Sequence, residues 1–237
     1  RGEIALRVIR AAREMGIHAV GPVSAEVAFR QVRDGQGDMV VERFGHAALC
    51  VRHALPSRDR CYNYGTTDFT KPMKMGWGFI RGRSRFWVSV SRPDRMLASY
   101  VRFDRTVWLQ TLPLSDEAAW AIADKLVFDA KEENRYYHYH HFFDNCTTRV
   151  RDHIDEATGG ALSKGNDVGI GKSFRDYSRE GFADVDWLLA ASDMVLGRGA
   201  DREATVYEAM FLPDVLREQV TERLGVEPVV VYEREGR

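Results

Sequence analysis

Between residues 39 and 112 the chain strings together short runs rich in β-branched and aromatic residues, at 39–44, 47–52, 60–66, 85–90, 98–103 and 106–112, each closed by Gly, Pro, Asp or Ser. Runs of this length and composition, punctuated by turn formers, predict the strands of an antiparallel sheet. Amphipathic helical periodicity follows this stretch. Ser115 is a good N-cap for a helix to about Glu133, with Ala119, Ala123, Val127 and Ile122, Leu126, Ala130 as its buried stripe. After the aromatic segment 136–143, a second helix opens at Asp144-Asn145, buries Cys146, Val150, Ile154 and Ala157, and stops at Gly159-Gly160. Strands gathered in one run and flanked by helices, rather than alternating with them, predict an α+β domain with its sheet packed against helices.

The remaining segments are less regular. Residues 163–178 are rich in Gly, Ser and Asp and predict a long irregular loop, and 187–224 predict short helices, the last starting at Pro213 with Leu216, Val220 and Leu224 in register. Near the start, Ile4, Ala5, Val8, Ile9, Ala12 and Met15 recur at helical spacing ahead of Gly16. This opening resembles the first helix of biotin carboxylase N-terminal domains over residues 1–17, with no ATP-grasp pattern downstream, and carries no functional expectation. The expected organisation is a helical appendage at 1–38, a catalytic domain at 39–225 and a tail at 226–237.

Charge narrows the partners. With 34 Lys+Arg against 35 Asp+Glu, a net charge of −1 and a pI near 6.7, the chain lacks the global basic footprint of a nucleic-acid binder. Its longest apolar stretches fall short of the roughly 20 residues of a bilayer-spanning helix. No basic n-region with an apolar h-region follows Arg1, so a secretory signal or anchor is expected to lie outside this chain.

Three cysteines are too few for a disulfide scaffold. Cys50 and Cys61 lie in neighbouring strand runs and are expected as two ordinary buried thiols, with pairing open to them in an oxidising compartment. Cys146 is different. If Asn145 is the N-cap, Cys146 is the first helical residue, where free backbone N–H groups and the helix dipole favour a thiolate below its reference pKa of about 8.5. Those N–H groups also suit an oxyanion. The plainer alternative is the first apolar residue of an amphipathic helix.

A nucleophilic cysteine needs a base. Of the seven histidines, His153 lies two turns along the same helix, roughly 10 Å from Cys146, and is too far. His18 and His53 read as surface groups. His46, in Phe44-Gly45-His46-Ala47-Ala48-Leu49, sits among small residues that permit close approach and is the best candidate. A rival chemistry uses His138 and His140 on one strand face, with His141 and Asp144 completing the set of metal ligands, in a metal-dependent hydrolase built on His138, His140 and Asp144. A third possibility is a catalytically silent domain holding a lipid or peptide in an aromatic groove around Tyr62, Tyr64 and Trp77.

The motifs Phe44-Gly45-His46-Ala47, Tyr62-Asn63-Tyr64-Gly65-Thr66 with Asp68-Phe69, Arg81-Gly82-Arg83, Asn134-Arg135-Tyr136-Tyr137, Asp144-Asn145-Cys146-Thr147-Thr148-Arg149, and Ala200-Asp201-Arg202 with Met210-Phe211-Leu212-Pro213 occur in this order. Together they resemble the Lnb N-terminal periplasmic domain family over about residues 39–220. The resemblance implies a permuted papain-like (NlpC-type) cysteine acyltransferase or hydrolase of the periplasm or cell envelope, needing no cofactor. It implies Cys146 as nucleophile and His46 as base, on a bacterial lipoprotein or another acyl ester or amide, with peripheral membrane association. Its best-known activity moves an ester-linked acyl chain of a lipoprotein onto the N-terminal cysteine amine. For the third member Asn63 is expected, since an amide carbonyl accepts the second imidazole N–H, with Tyr64 or Asp68 as alternatives. Tyr64, Arg81 and Arg149 are the expected substrate-binding residues, with Arg83 beside them.

Overall fold

The alternation expected of a strand is carried by Ala47, Leu49 and Val51 on one side and Ala48 and Cys50 on the other, and both sides are buried. The computed structural model describes residues 23–30, 44–68, 84–183 and 185–236. In chain order its elements are β1 (Val23–Arg30), β2 (His46–His53), β3 (Arg60–Thr66), β4 (Arg85–Ser91), α1 (Pro93–Arg102), β5 (Val107–Thr111), α2 (Asp116–Asp129), β6 (Tyr136–His138) and α3 (Cys146–Ala157). There follow β7 (Gly169–Ser173), α4 (Phe174–Phe182), α5 (Asp186–Val195), β8 (Glu203–Thr205), α6 (Val206–Ala209), α7 (Pro213–Leu224) and β9 (Val229–Tyr232).

The chain is α+β, as expected. A seven-stranded sheet runs in the order β6-β4-β3-β2-β1-β5-β9, every neighbouring pair antiparallel. On one face, Val27, Phe29, Leu49 and Tyr64 pack with Ile122 and Leu126 of α2 and Val150 and Ile154 of α3. On the other, Ala48, Cys50 and Cys61 pack with Met96 and Leu97 of α1. A third cluster around Phe142, Phe174 and Phe211 gathers α4 and the two-stranded β7-β8 sheet.

Several expectations are corrected. Residues 98–102 are helical within α1 and Phe103 caps it, because Pro93 sits at its first turn with Asp94, and the buried Met96 and Leu97 repeat at Tyr100 and Val101, a helical rather than an alternating spacing. The expected loop at 163–178 contains β7 and the start of α4, which Ser173 and Asp176 open with a capping box. Val127 on α2 is 52% exposed and not part of the stripe.

Two strands arise outside the expected domain limits. β1 comes from the stretch expected as an appendage and lies between β2 and β5, while β9 comes from the expected tail and pairs with β5. Cys50 and Cys61, expected as free thiols, form a disulfide between β2 and β3, where they are direct register partners. The expected helix at 2–15, residues 39–43 of the first strand run, His18, Phe69, Trp77, Arg81 and Arg83 lie outside the described residues.

Candidate active site

The site forms where the β2-β3 pair meets the first turn of α3. Gly45, at a φ of 80°, turns the chain into β2 and makes His46 its first residue. Strand alternation puts His46 on the α1 side with Ala48 and Cys50, and Asn63 on that same side with Cys61. Nε2 of His46 lies 3.4 Å from Oδ1 of Asn63. Asn63 is itself held, because its Nδ2 donates to Ser91 Oγ at 3.3 Å and the Tyr100 hydroxyl donates to its Oδ1 at 3.5 Å.

Cys146 arrives from the opposite layer. The Asn145 side chain caps α3 by accepting from the N–H of Thr147 and Thr148, both at 2.8 Å, so the Cys146 N–H is not used by the cap. The cap is itself fixed, as Asn145 Nδ2 donates to the carbonyls of His141 and Phe211 at 2.7 and 3.0 Å. The register of β3 and β4 shifts between Asn63 and Thr66. At this irregularity Gly65 has a φ of 87°, and a Cβ on it would lie 3.3 Å from that of Cys146. The sulfur thus approaches the His46 side of the sheet past a residue without a side chain.

The Cys146 thiol is the only cysteine left free. Burial pushes its pKa up. The charge of the neighbouring His46, followed by hydrogen bonding from His46, the Ala47 N–H and the Thr147 hydroxyl, outweighs burial and lowers it to about 7. Since Nε2 of His46 faces Asn63, Nδ1 is the nitrogen left for the sulfur. A cleft of about 460 Å³ opens onto this group, bordered by His46, Asn63, Cys146, Ser89, Tyr139 and Phe211 among others.

The other expected site residues separate. Tyr64 borders the cleft but its side chain is wholly buried; its hydroxyl donates to Asp129 at 3.0 Å and lies 2.7 Å from Nε2 of His153. Arg149 grips Asp144 through two hydrogen bonds, at 2.6 and 2.9 Å, and lies over the Tyr137 ring, away from the cleft lining. Arg81 is outside the described residues. The metal alternative is not built: His138, His140 and Asp144 do not converge, and no three potential metal-ligating side chains come together among the described residues. Asp144 is occupied by Arg149, and His140 Nδ1 accepts from the N–H of Phe142 and Phe143. His141 lines the cleft within an aromatic cage, its pKa lowered to about 4 by burial and then by His140.

Tyr62 and Tyr64 belong to the core, so the aromatic cleft wall is a different set: Phe44, Phe86, Tyr139 and Phe211. Phe44 and Phe211 stand in motifs already quoted, but nothing in the sequence marks them as cleft walls. A Cβ on Gly181 of α4 would collide with the Phe44 ring, a distant pairing that only folding brings about. The α1 residues Arg95, Ser99 and Tyr100 also line the cleft; Ser99 and Tyr100 fall in the run expected as a strand, and Arg95 just before it.

A family model described as Lnb N-terminal periplasmic domain matches residues 35–176, which include His46, Asn63 and Cys146. No curated protein and no solved structure matches the chain.

Proposed function

The chain belongs to the Lnb N-terminal periplasmic domain family, and on that premise we propose that it is a cysteine acyltransferase or hydrolase acting through a thioester. Family membership makes it an extracytoplasmic, envelope-associated protein. The Cys50–Cys61 disulfide suits an oxidising compartment. We read its Cys-His-Asn arrangement, with the histidine ahead of the cysteine, as a permuted papain-like centre.

One observation carries the proposal: Cys146 at the capped start of α3 borders the same cleft as His46, whose Nε2 lies 3.4 Å from Oδ1 of Asn63, and the thiol pKa is lowered to about 7 in this setting. His46 takes the thiol proton, and the thiolate attacks the carbonyl of an ester to form a C–S bond. Negative charge on the carbonyl oxygen is met by the Cys146 N–H at the positive end of α3. Collapse breaks the C–O bond, and His46 returns the proton to the departing alkoxide. An amine or water, deprotonated by His46, then attacks the thioester, and the sulfur leaves as the thiolate.

Transfer of an acyl chain within a bacterial lipoprotein, onto its N-terminal amine, is the substrate reading that fits the family. Among the described residues no helix is long and apolar enough to cross a membrane. The test is a stoichiometric burst of p-nitrophenol from p-nitrophenyl butyrate with an acyl adduct on Cys146. His46→Ala should suppress both, and an undiminished burst from Cys146→Ala would overturn the proposal. Mass spectrometry of lipoprotein N-termini with and without the active chain then separates transfer from hydrolysis.

A further inference from the structure

Charge is unevenly distributed in the cleft. No Asp or Glu lines it among the described residues. His141 stays neutral at pH 7, its pKa held near 4 by burial. When Cys146 is a thiolate and His46 an imidazolium, their charges cancel. Arg95 then sets the net sign of the cleft.

Arg95 projects from α1 one turn before Ser99, and both line the cleft with the hydroxyl-bearing Ser89, Ser91 and Thr66. Its side chain pairs with no carboxylate among the described residues. Arg92, by contrast, is neutralised by Asp94 at 3.1 Å. The exposed Arg95 guanidinium, with no carboxylate partner among the described residues, stands on the cleft rim beside Ser99, the hydrogen-bonded Thr66–Ser89 hydroxyl pair and Ser91, whose Oγ accepts from Asn63, and this set matches an oxyanion in charge and hydrogen-bonding capacity. The Phe44, Tyr139 and Phe211 side of the cleft offers apolar surface to a hydrocarbon chain.

We propose that Arg95 and the neighbouring hydroxyls form an oxyanion subsite that favours acyl donors carrying a phosphate or carboxylate near the scissile ester, a donor class beyond the neutral lipoprotein ester read above. Its catalytic consequence rests on the thioester reading above, but its binding does not. The acyl chain lies on the aromatic side, and the anionic group on the α1 side draws the ester carbonyl toward Cys146.

Alkylation of Cys146 tests this without requiring turnover. Iodoacetate is anionic and iodoacetamide neutral, and their rate ratio reports the local charge. Arg95→Gln should slow iodoacetate by roughly fivefold, the scale of one charge pair near contact in a water-like dielectric, and leave iodoacetamide unchanged. Arg95→Lys should restore most of the ratio. Dihexanoyl phosphatidic acid and dihexanoylglycerol hemisuccinate, offered as protectants against iodoacetamide, separate a phosphate source from a carboxylate source. Either should protect better than neutral dihexanoylglycerol in the native chain, and lose that advantage in Arg95→Gln. An iodoacetate rate indifferent to Arg95, or equal protection by the neutral ester, overturns the subsite. A chain that keeps the Arg95 dependence yet never acylates Cys146 instead removes the thioester reading.

Discussion

Gly65 and Cys146 touch across two layers of the fold: a Cβ on Gly65 would lie 3.3 Å from the Cys146 Cβ, and the glycine holds a φ of 87°. The backbone conformation strains any side chain here, and the space for one is tight. Gly65→Ala should destabilise the chain by about 1–2 kcal/mol from the left-handed conformation alone. It should also push Cys146 away from His46, so thermal melting and iodoacetamide kinetics should both deteriorate. A variant that melts lower but alkylates at the native rate would show that the contact is structural only.

The thiol should titrate within the neutral range. Because the folded pKa is lowered from 9.0 to about 7, alkylation by iodoacetamide should rise with pH about a midpoint near 7. The same depression adds folding stability above pH 9, and that increment is lost as pH falls through 7. His46→Ala removes the group that does most to lower the pKa, so the kinetic midpoint should move up toward 9. An unmoved midpoint would assign the shift to the Ala47 and Thr147 hydrogen bonds instead.

Asn63 acts through His46. Asn63→Ala takes away the acceptor 3.4 Å from Nε2 and frees the imidazole to rotate. The turnover number on p-nitrophenyl butyrate should fall roughly tenfold or more, a part of the general-base contribution, with little change in KM. Equal loss in KM would point to a substrate contact.

Tyr64 should behave as a structural residue despite bordering the cleft. Its buried hydroxyl satisfies Asp129 and faces His153, with Lys125 pairing Asp129 at 2.8 Å. Tyr64→Phe leaves these groups one partner short, at a cost of about 1–3 kcal/mol. Melting should shift down while Cys146 alkylation keeps its rate, and a selective loss of alkylation would contradict this assignment.

The Cys50–Cys61 disulfide pins β2 to β3 two residues before Asn63. Reduction should cost roughly 2–4 kcal/mol, read as a lower melting temperature in tris(2-carboxyethyl)phosphine. In a Cys50→Ser/Cys61→Ser chain the reductant should have no further effect. A reductant shift persisting in that double variant would place its cause elsewhere.

Where the sequence misled, competing local signals explain it. β1 carries Ala25, Val27 and Phe29 in alternation, but Ser24 and Glu26 at the alternate positions give the stretch a surface-strand look; both are buried, and Glu26 pairs with Arg52 at 2.7 Å. Its alternation was legible, its place near the sheet centre was not. α1 was obscured because β-branched and aromatic residues at its end suggested a strand, although Pro93 and the Met96-Leu97-Tyr100-Val101 spacing carried the helical signal. Arg149 reads as a free cation in the sequence, and its pairing with Asp144 depends on how the turn before α3 folds back.

By itself the sequence determined what short-range chemistry can encode: strand alternation in β2 to β5, the Asn145 cap that places Cys146 at a helix start, and the ordered motifs of a family. Tertiary structure alone decided which groups meet. The disulfide settles which of the three cysteines stays free, and the approach of Cys146 past Gly65, the aromatic wall and the cleft that Arg95 shares with Cys146 bring together residues far apart in the chain. Propensity and capping act within a few residues, whereas a site depends on sheet register and layer packing, which only the whole chain's burial of apolar surface settles.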